Sequence, residues 1–450
     1  MNDPGMTRCF LAVLFACSLS AAKPNFLVIV ADDLGWADVG YHGSKIPTPN
    51  IDKLCREGIE LNRHYVSPVC TPTRIGLLTG RYWSRFGNTG PNNERCLPWE
   101  TETLASALRQ VGYDTCITGK WHLGSLPEWG PRQFGFNHSH GSLAGGVNPN
   151  NHLYKTGRFS KTWHRNDKLM EENGHATDLI AREAIRYIRK KRDEPFFVYV
   201  PFTAVHTPFI EPEKYMQACQ DVAPDRRAFA ACLVHLDEKI GEIIQAVNET
   251  GQRDNTLVLF FSDNGGQNPK SDDSTRYPHT QKSCKFKGMN TPLRGWKAGT
   301  YEGGIRTPAF VTWPGKLKPG KSDALLSVTD WMPTLTRLAG YEPKRNLNFD
   351  GRNIWPLLTG NQKKNPERAL YCKGPGGRTR VVIHDGWKLI HTTKGDKFEL
   401  YHLDDDPEES RDLLHSEPDQ VGKLKVLLNR LKKPDDDAKP DRNRKNPNPV

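Results

Sequence analysis

No apolar run in this 450-residue chain reaches the roughly 18–20 residues that a membrane-spanning helix needs. Regularly spaced repeats, zinc-finger spacings and RNA-binding signatures are also missing, so nucleic acid is a weak candidate partner. Acidic residues (52) are outnumbered by basic ones (63), and the net charge of +11 fits a solvated surface or an anionic partner. With 36% hydrophobic residues, the chain can bury a core of one large and one small domain.

The first 22 residues have the pattern of a secretory signal peptide. Arg8 precedes an apolar run at residues 10–16, and residues 20–22 offer a small-residue cleavage site. Residues 14–17 also resemble a bacterial lipoprotein box, so anchoring at Cys17 is a lesser alternative. We therefore expect a secreted or periplasmic protein, or a lysosomal one if the source is eukaryotic.

The cysteines say little about the fold. Ten cysteines become eight after cleavage of the leader, and seven remain if Cys70 has another use. An odd number cannot all pair within one chain, so partial disulfide bonding stays open and its connectivity cannot be read from the sequence.

Three near-continuous apolar runs, at residues 25–31, 196–200 and 256–262, predict strands buried on both faces of a parallel sheet. Helical patterns are found between and around them, at residues 48–58, 101–111, 176–191 and 225–248. Strands that alternate with helices predict an α/β fold with a large, mostly parallel sheet flanked by helices.

The pattern changes near residue 366, where short strand-like segments separated by glycine and aspartate replace the long buried runs. We expect a catalytic domain over residues 23–365 and a small antiparallel subdomain over residues 366–431 with a closing helix. Residues 432–450 are rich in Pro, Asp, Lys and Arg and predict a disordered charged tail. Residues 266–293 lack apolar periodicity and predict a long surface loop at the rim of a site.

Carboxylate and amide side chains follow two of the buried strands. Asp32 and Asp33 come directly after residues 25–31, and Asp263 and Asn264 come directly after residues 256–262. Each pair alone could merely cap a turn. Because open α/β sheets bind ligands beyond the carboxyl ends of their strands, the two pairs together predict a site of hard oxygen ligands. Such ligands suit Ca²⁺ or Mg²⁺ rather than zinc.

Cys70 lies at the predicted start of a helix that Pro72 opens and Gly80 ends. Free N–H groups and the helix dipole favour an anion and an activated thiol there. Arg74 follows one turn later and can point back at the same anion. A buried structural cysteine beside a surface arginine is the plain alternative.

Five motifs carry a family resemblance. C-T-P-T-R at residues 70–74, followed by L-L-T-G-R at 77–81, matches the sulfatase signature, and residues 112–124 match the second signature of that family. V-H-T-P at 205–208 and R-G-W-K at 294–297, with E-G-G-I-R beyond it, also match, as do the two acidic pairs. From about residue 24 to about residue 410 the chain resembles the sulfatase family, most closely the arylsulfatase B (N-acetylgalactosamine-4-sulfatase) group and its secreted bacterial relatives.

The resemblance implies an alkaline-phosphatase-like fold and a modified nucleophile. A formylglycine-generating enzyme would convert Cys70 to formylglycine, whose hydrate attacks sulfur and then expels sulfate. One Ca²⁺ would be held by Asp32, Asp33, Asp263 and Asn264, with the modified residue 70 as a further ligand.

Catalytic roles follow from the same resemblance. Arg74, Lys120 and Lys297 would surround the sulfate with positive charge, which stabilises the charge that develops as the ester bond breaks. His122 would deprotonate the hydrate in the elimination step, and His206 with Lys297 would face the leaving oxygen.

The substrate is expected to be a sulfated carbohydrate or an aryl sulfate. Loops at residues 85–100, 125–170 and 266–293 would set its identity, and Ser142 is a candidate sulfate contact. Tryptophans that could stack on sugar rings, although they more often pack in a core, are Trp83, Trp99, Trp129, Trp163 and Trp296.

Two other functions stay open. A phosphate or phosphonate ester hydrolase could use the same general fold with a related site. A secreted protein that binds sulfated glycans without catalysis, its Cys70 never converted, would keep the same ligands.

Overall fold

The computed structural model describes residues 22–270, 274–280, 287–362, 367–447 and 449. Their strands are β1 (Asn25–Ala31), β2 (Ile59–Leu61), β3 (His64–Tyr65), β4 (Asp114–Lys120), β5 (His138–Ser142), β6 (Trp163–Arg165), β7 (Lys168–Leu169), β8 (Phe196–Pro201), β9 (Thr256–Ser262), β10 (Ala309–Thr312), β11 (Gly320–Ser322), β12 (Leu326–Ser327), β13 (Ala369–Lys373), β14 (Thr379–His384), β15 (Trp387–Thr392) and β16 (Lys397–His402). Their α-helices are α1 (Pro49–Arg56), α2 (Cys70–Thr79), α3 (Leu104–Gln110), α4 (Ala176–Ile188), α5 (Glu213–Ala218), α6 (Arg227–Glu249), α7 (Glu302–Ile305), α8 (Trp331–Leu338), α9 (Trp355–Leu358) and α10 (Pro418–Leu431).

Within the described residues, ten strands form one sheet in the order β11-β2-β10-β9-β1-β8-β4-β5-β6-β7. The five central strands, from β9 to β5, run parallel to one another. Antiparallel strands flank them, β10 beside β9 on one side and β6 beside β5 on the other. The predicted mostly parallel sheet is therefore confirmed, and the three apolar runs form its neighbouring strands β9, β1 and β8.

Both faces of the sheet are covered, because side chains alternate along each strand. On β1, Phe26 and Val28 belong to the core under α2, α3 and α8, whereas Leu27 and Ile29 belong to the core under α4 and α6. A strand without a solvated face carries a continuous apolar run, which is why the sequence shows no alternation there. None of the helices in the described parts of the chain is both long and apolar enough to cross a bilayer.

The small C-terminal sheet is an antiparallel meander of β13, β14, β15 and β16, and α10 packs against it. Its core residues join the same hydrophobic cluster as α2 and α8. The predicted small antiparallel sheet is present, and its closing helix is α10.

Residues 432–447 differ from the expected disordered tail. Asp437 pairs with Arg81 at 2.8 Å, Asp435 pairs with Arg85 at 3.1 Å, and the N–H of Ala438 donates to the carbonyl of Arg85 at 2.8 Å. The segment thus lies against the chain near residues 81–85. Composition alone misses this, because the basic partners that neutralise the aspartates come from a region some 350 residues earlier.

Several expectations fall outside the described residues, namely the leader at residues 1–21 with Cys17, and Cys284. Among the described cysteines, buried free thiols occur at Cys55, Cys96, Cys116, Cys219 and Cys372. No disulfide bond therefore links any two of these five cysteines.

Candidate functional site

The two acidic pairs meet at one edge of the sheet, because β1 and β9 are parallel neighbours in register. One oxygen each of Asp32, Asp33 and Asp263 lies within 4.8 Å of the other two. Asn264 donates from Nδ2 to Asp33 Oδ1 at 2.8 Å, and all four side chains are buried. The structure therefore brings together the four residues that the sequence proposed as metal ligands.

Two oxygens of this group accept no hydrogen bond, although both are buried: Asp32 Oδ1 and Asn264 Oδ1. Orphaned buried acceptors are costly unless a cation or water satisfies them. Burial raises the pKa of Asp32 to about 8, and the charge of Asp263 adds to the effect. An all-oxygen set of three carboxylates and an amide fits a hard divalent cation such as Ca²⁺.

Each carboxylate of the group has a cationic partner from another part of the chain. Lys120 Nζ donates to Asp32 Oδ2 at 2.6 Å, at the end of β4. Arg74 Nη2 donates to Asp263 Oδ2 at 2.6 Å, from the second turn of α2.

The third partner is Lys297, whose Nζ lies 2.6 Å from Asp33 Oδ1 and 2.8 Å from its Oδ2. Burial disfavours the charged form of Lys297. The negative charge of Asp33 outweighs this effect of burial and raises the pKa of the lysine. The site therefore pairs three carboxyl side chains with three cationic side chains before any ion or substrate binds.

Cys70 is the first residue of α2, as the sequence predicted, and Gly80 ends that helix in the left-handed conformation. Its Sγ lies 3.2 Å from Nδ1 of His122, and the side chain is 2% exposed. Burial raises the pKa of the thiol, and the opposing charges of Lys120 and Lys297 do not reverse the shift. The expectation of an activated thiol is therefore wrong, because desolvation outweighs the positive surroundings.

The two histidines of the site occupy different positions. Burial, with the charges of Lys120 and Arg74, holds the pKa of His122 well below its ordinary value, so its ring is neutral. Gly145 lies against this ring, where an added Cβ would come within 2.4 Å of it. His206 follows β8, and its Nε2 lies 3.8 Å from Asp33 Oδ2.

A cavity of about 480 Å³ adjoins Cys70, His122, His206 and Lys297. Arg74 and Lys120 do not line it, because their charged ends lie on Asp263 and Asp32. All three loops that the sequence proposed as specificity elements contribute lining residues, which include Asn92, Asn93, Tyr154, Lys155, Gln267 and Arg276. None of the described lining residues is acidic.

Some sequence-based candidates lie elsewhere. Ser142 is in β5, where its Oγ accepts from the N–H of Ala144 at 3.1 Å and lies 3.3 Å from Thr162 Oγ1, so it does not line the cavity. None of the five candidate tryptophans lines the described cavity either. Sequence reasoning missed the individual lining residues, since its only signal there was the lack of regular periodicity.

Family models match most of the chain. The model described as "Sulfatase" matches residues 24–341, and the one described as "N-sulphoglucosamine sulphohydrolase, C-terminal" matches residues 295–434. The resemblance that the motifs suggested is confirmed at the level of the sulfatase family.

Curated relatives and solved structures agree with this family assignment. Arylsulfatase J of Mus musculus is 35% identical over 76% of this chain and 57% of its own length. N-acetylgalactosamine-6-sulfatase of Homo sapiens is 31% identical over 78% of this chain and 68% of its own length. The chain thus spans little more than half of the first of these relatives.

The structure of "Ps i-CgsB in complex with k-i-k-neocarrahexaose" superposes with a TM-score of 0.82 at 29% identity, covering 92% of this chain and 93% of that one. A protein solved with D-glucosamine-2-N,6-O-disulfate has a TM-score of 0.71 at 19% identity over 94% of this chain and all of that chain, which shows a shared fold.

Proposed function

Because the chain belongs to the sulfatase family, we propose that it hydrolyses sulfate esters of sulfated carbohydrates. The observation that supports this best is the composition of the cavity. Residue 70 opens into it from a helix N-terminus, Lys297 and Arg276 bring positive charge to its wall, and no described lining residue is acidic. An anionic ester can enter such a cavity without facing a like charge.

We propose that Cys70 acts after conversion to formylglycine by a separate formylglycine-generating enzyme. Burial raises the pKa of the thiol, so little of it would be ionised, and an unmodified cysteine would be a weak nucleophile here. The hydrate of the aldehyde would supply a nucleophilic hydroxyl at the position now held by Sγ, 3.2 Å from His122 Nδ1.

We propose Ca²⁺ as the ion held by Asp32, Asp33, Asp263 and Asn264, with residue 70 nearby as a further ligand. The two orphaned oxygens and the all-oxygen donor set support this choice. A bound divalent ion supplies Lewis-acid stabilisation of charge on the sulfate oxygens. Since three cationic side chains already balance the carboxylates, the ion would leave the site with excess positive charge that suits an anion.

The remaining roles belong to side chains of this chain. His122 is neutral and within hydrogen-bond reach of residue 70, so it can take a proton from the hydroxyl there. His206 and Lys297 line the cavity, where they can donate a proton to the leaving oxygen or stabilise its negative charge. Arg74 and Lys120 hold the metal-site carboxylates in place and add positive charge near the site.

The size of the cavity and the named relatives support a carbohydrate substrate. A volume of about 480 Å³ is in the range that holds a small-molecule ligand such as a sugar ring. The similar structure with a bound neocarrahexaose has its ligand in a fold that matches 92% of this chain. Aryl sulfates would serve as small, activated substrates.

The test uses the purified full-length chain with Ca²⁺. We expect sulfate release from one of a panel of 4-O-, 6-O- and N-sulfated sugars, and a peptide at residue 70 that reacts with a hydrazide reagent for aldehydes. Faster release of phosphate from matched phosphate esters would favour the phosphatase alternative. Glycan binding without turnover, with an intact thiol at residue 70, would favour the non-catalytic alternative.

We also propose export of the protein, either secreted or periplasmic, or lysosomal in a eukaryotic source. The leader pattern at residues 1–22 supports this. N-terminal sequencing of the mature protein tests it: a start at Lys23 is expected, and a lipid-modified start at Cys17 would indicate anchoring instead.

A further inference from the structure

A second cluster of histidines and carboxylates lies on the face of the sheet that α4 and α6 cover. His175 and Asp178 come from the start of α4, His235 from the middle of α6, and Glu211 from the segment between β8 and α5. None of these four lines the cavity described above.

The contacts within this cluster are short. His235 Nδ1 lies 2.7 Å from Glu211 Oε2, and His235 Nε2 lies 3.1 Å from Asp178 Oδ1. The rings of His175 and His235 have centroids 4.7 Å apart. One donor atom each of His175, Asp178 and His235 lies within 4.8 Å of the others.

We propose that His175, Asp178 and His235, with Glu211 beside them, form a binding site for a divalent transition metal ion, Zn²⁺. Two imidazoles and two carboxylates are a donor set that zinc accepts, and four donors match its preferred coordination number. The nitrogen donors distinguish this cluster from the all-oxygen site at Asp32, which suits a hard ion.

A second observation comes from His175. Its Nε2 is buried and makes no hydrogen bond, and it points toward the cluster, with Glu211 Oε1 3.6 Å away. The side chain is only 6% exposed, so water does not readily replace the missing partner. A buried imidazole nitrogen that faces carboxylates and a second imidazole can serve as a metal ligand once its proton is lost.

The cluster is enclosed but reachable. His235 and Glu211 are 0% and 2% exposed, whereas Asp178 is 42% exposed and gives an ion a route from solvent. Lys239 Nζ lies 3.1 Å from Asp178 Oδ1 and would have to share that carboxylate. Tyr215 stacks on His235 at 4.1 Å and fixes the plane of its ring.

Binding requires a local adjustment at both histidines. His235 now contacts a carboxylate with each ring nitrogen, so one of these contacts must open and its proton must leave to admit the ion. His175 Nδ1 now accepts a long hydrogen bond of 3.3 Å from the N–H of Thr177, which places the ring proton on Nε2. With a metal on Nε2, that proton moves to Nδ1 or leaves, and the long bond is lost. The ion would in return link α4, α6 and the segment before α5, so we expect it to stabilise the fold.

The experiment measures metal binding by the full-length chain. The protein is stripped with a chelator and returned to buffer with excess Ca²⁺, so that the oxygen site is filled, and Zn²⁺ or Co²⁺ is then added. We expect one tightly held equivalent of Zn²⁺, a rise in Tm, and the intense visible absorption of a four-coordinate Co²⁺ site. His175→Ala and Asp178→Asn should each lose the tight equivalent and the rise in Tm.

His391→Ala is the matched control, since His391 pairs with Asp396 at 2.7 Å without a second histidine. It should bind Zn²⁺ like the unaltered chain. If His175→Ala does not fold, Asp178→Asn and the Co²⁺ spectrum of the unaltered chain decide the question. No tight Zn²⁺ equivalent in the unaltered chain, or equal binding by Asp178→Asn, would overturn the proposal.

Discussion

Two groups of buried charges in this molecule differ in whether a ligand can reach them. The metal-site cluster, Asp32, Asp33, Asp263 and Asn264, leaves two buried oxygens without a hydrogen bond and adjoins a cavity. The interdomain cluster, Tyr65, Glu302, Lys388 and Glu409, joins α7 to β15 of the small sheet.

Every carboxylate oxygen of the interdomain cluster has a donor within 3 Å, although the contact of Glu409 Oε1 with Lys388 lacks hydrogen-bond geometry. Lys388 Nζ lies 2.9 Å from Glu302 Oε1 and 2.7 Å from Glu409 Oε1. Tyr65 Oη donates to Glu302 Oε2 at 2.8 Å, and the N–H of Glu302 donates to Glu409 Oε2 at 2.6 Å.

The difference shows that burial of charge does not by itself identify a site. Both clusters hold carboxylates and cations in a dry interior, and both have shifted pKa values. The open cavity beside its unsatisfied oxygens distinguishes the first cluster, and that cavity is the feature that a ligand can use. The interdomain cluster, which is closed on itself, is expected to contribute stability only.

The largest expected effect is on residue 70. Cys70→Ala should abolish sulfate ester hydrolysis while leaving Tm nearly unchanged, because the side chain is small and the proposed nucleophile is removed. Rates on an aryl sulfate and thermal unfolding check this. Cys372→Ala, at another buried thiol but in the small sheet, is the control and should keep its activity; activity retained by Cys70→Ala would refute the mechanism.

Loss of the metal is the next largest effect. Asp263→Asn removes one carboxylate of the oxygen site, so we expect loss of bound Ca²⁺ together with a drop in kcat/KM of about 100-fold or more. Elemental analysis and kinetics check both quantities. Prolonged chelation of the unaltered chain should have the same effect, and full activity of metal-free protein would contradict the prediction.

The interdomain cluster should respond in the opposite way. Lys388→Met leaves Glu302 and Glu409 buried without their cation, so the free energy of unfolding should fall by about 3–5 kcal/mol. Denaturant unfolding measures this change. The specific activity of the folded fraction should remain as it was, and an activity loss without a stability loss would erase the distinction between the clusters.

A smaller effect concerns pH. Burial raises the pKa of Glu409 to about 7, although Lys388 opposes the shift. Because the folded state holds this proton more tightly than the unfolded state, stability should fall as the pH rises from about 4.5 to about 7. Glu409→Gln cannot ionise, so its Tm should decline less over that range; an unchanged slope would show that another group is responsible.

The smallest expected effect is at the cavity wall. Arg276→Ala removes an exposed positive charge, so KM for a sulfated glycan should rise by about two- to fivefold at low salt and less at high salt. Small aryl sulfates should be nearly unaffected, because they do not extend to the wall. Lys318→Ala, an exposed lysine that does not line the cavity, is the control, and an equal change there would point to net charge alone.

Much of the fold followed from local pattern. The apolar runs at residues 25–31 and 256–262 gave strands with the predicted bounds, and residue 70 begins its helix as Pro72 and Gly80 indicated. Side chains at the ends of such strands had to meet if the strands were neighbours, so the four oxygen ligands were predictable.

Other features depend on partners that are distant in the sequence. The reversal of β10 and the contact of residues 432–447 with Arg85 leave no periodic signal, because they depend on pairing across hundreds of residues. The pKa of Cys70 was misjudged for a related reason: a helix start can be seen in the sequence, whereas the depth of burial that outweighs it cannot. Ser142 was one position among several on a strand, and only the packing decides which way it faces.

The separation of β1 and β9 along the chain also determines how long β1 waits for its neighbour during synthesis. Asp33 meets Asp263 only after 230 further residues have been made. At about 5–20 residues per second, β1 waits roughly 10–50 s for its neighbour. Residue 70 emerges early in that interval and is only later covered, to the point of 2% exposure. A modifying enzyme that needs access to this side chain would therefore have its opportunity while the ribosome is still at work, before the central sheet closes.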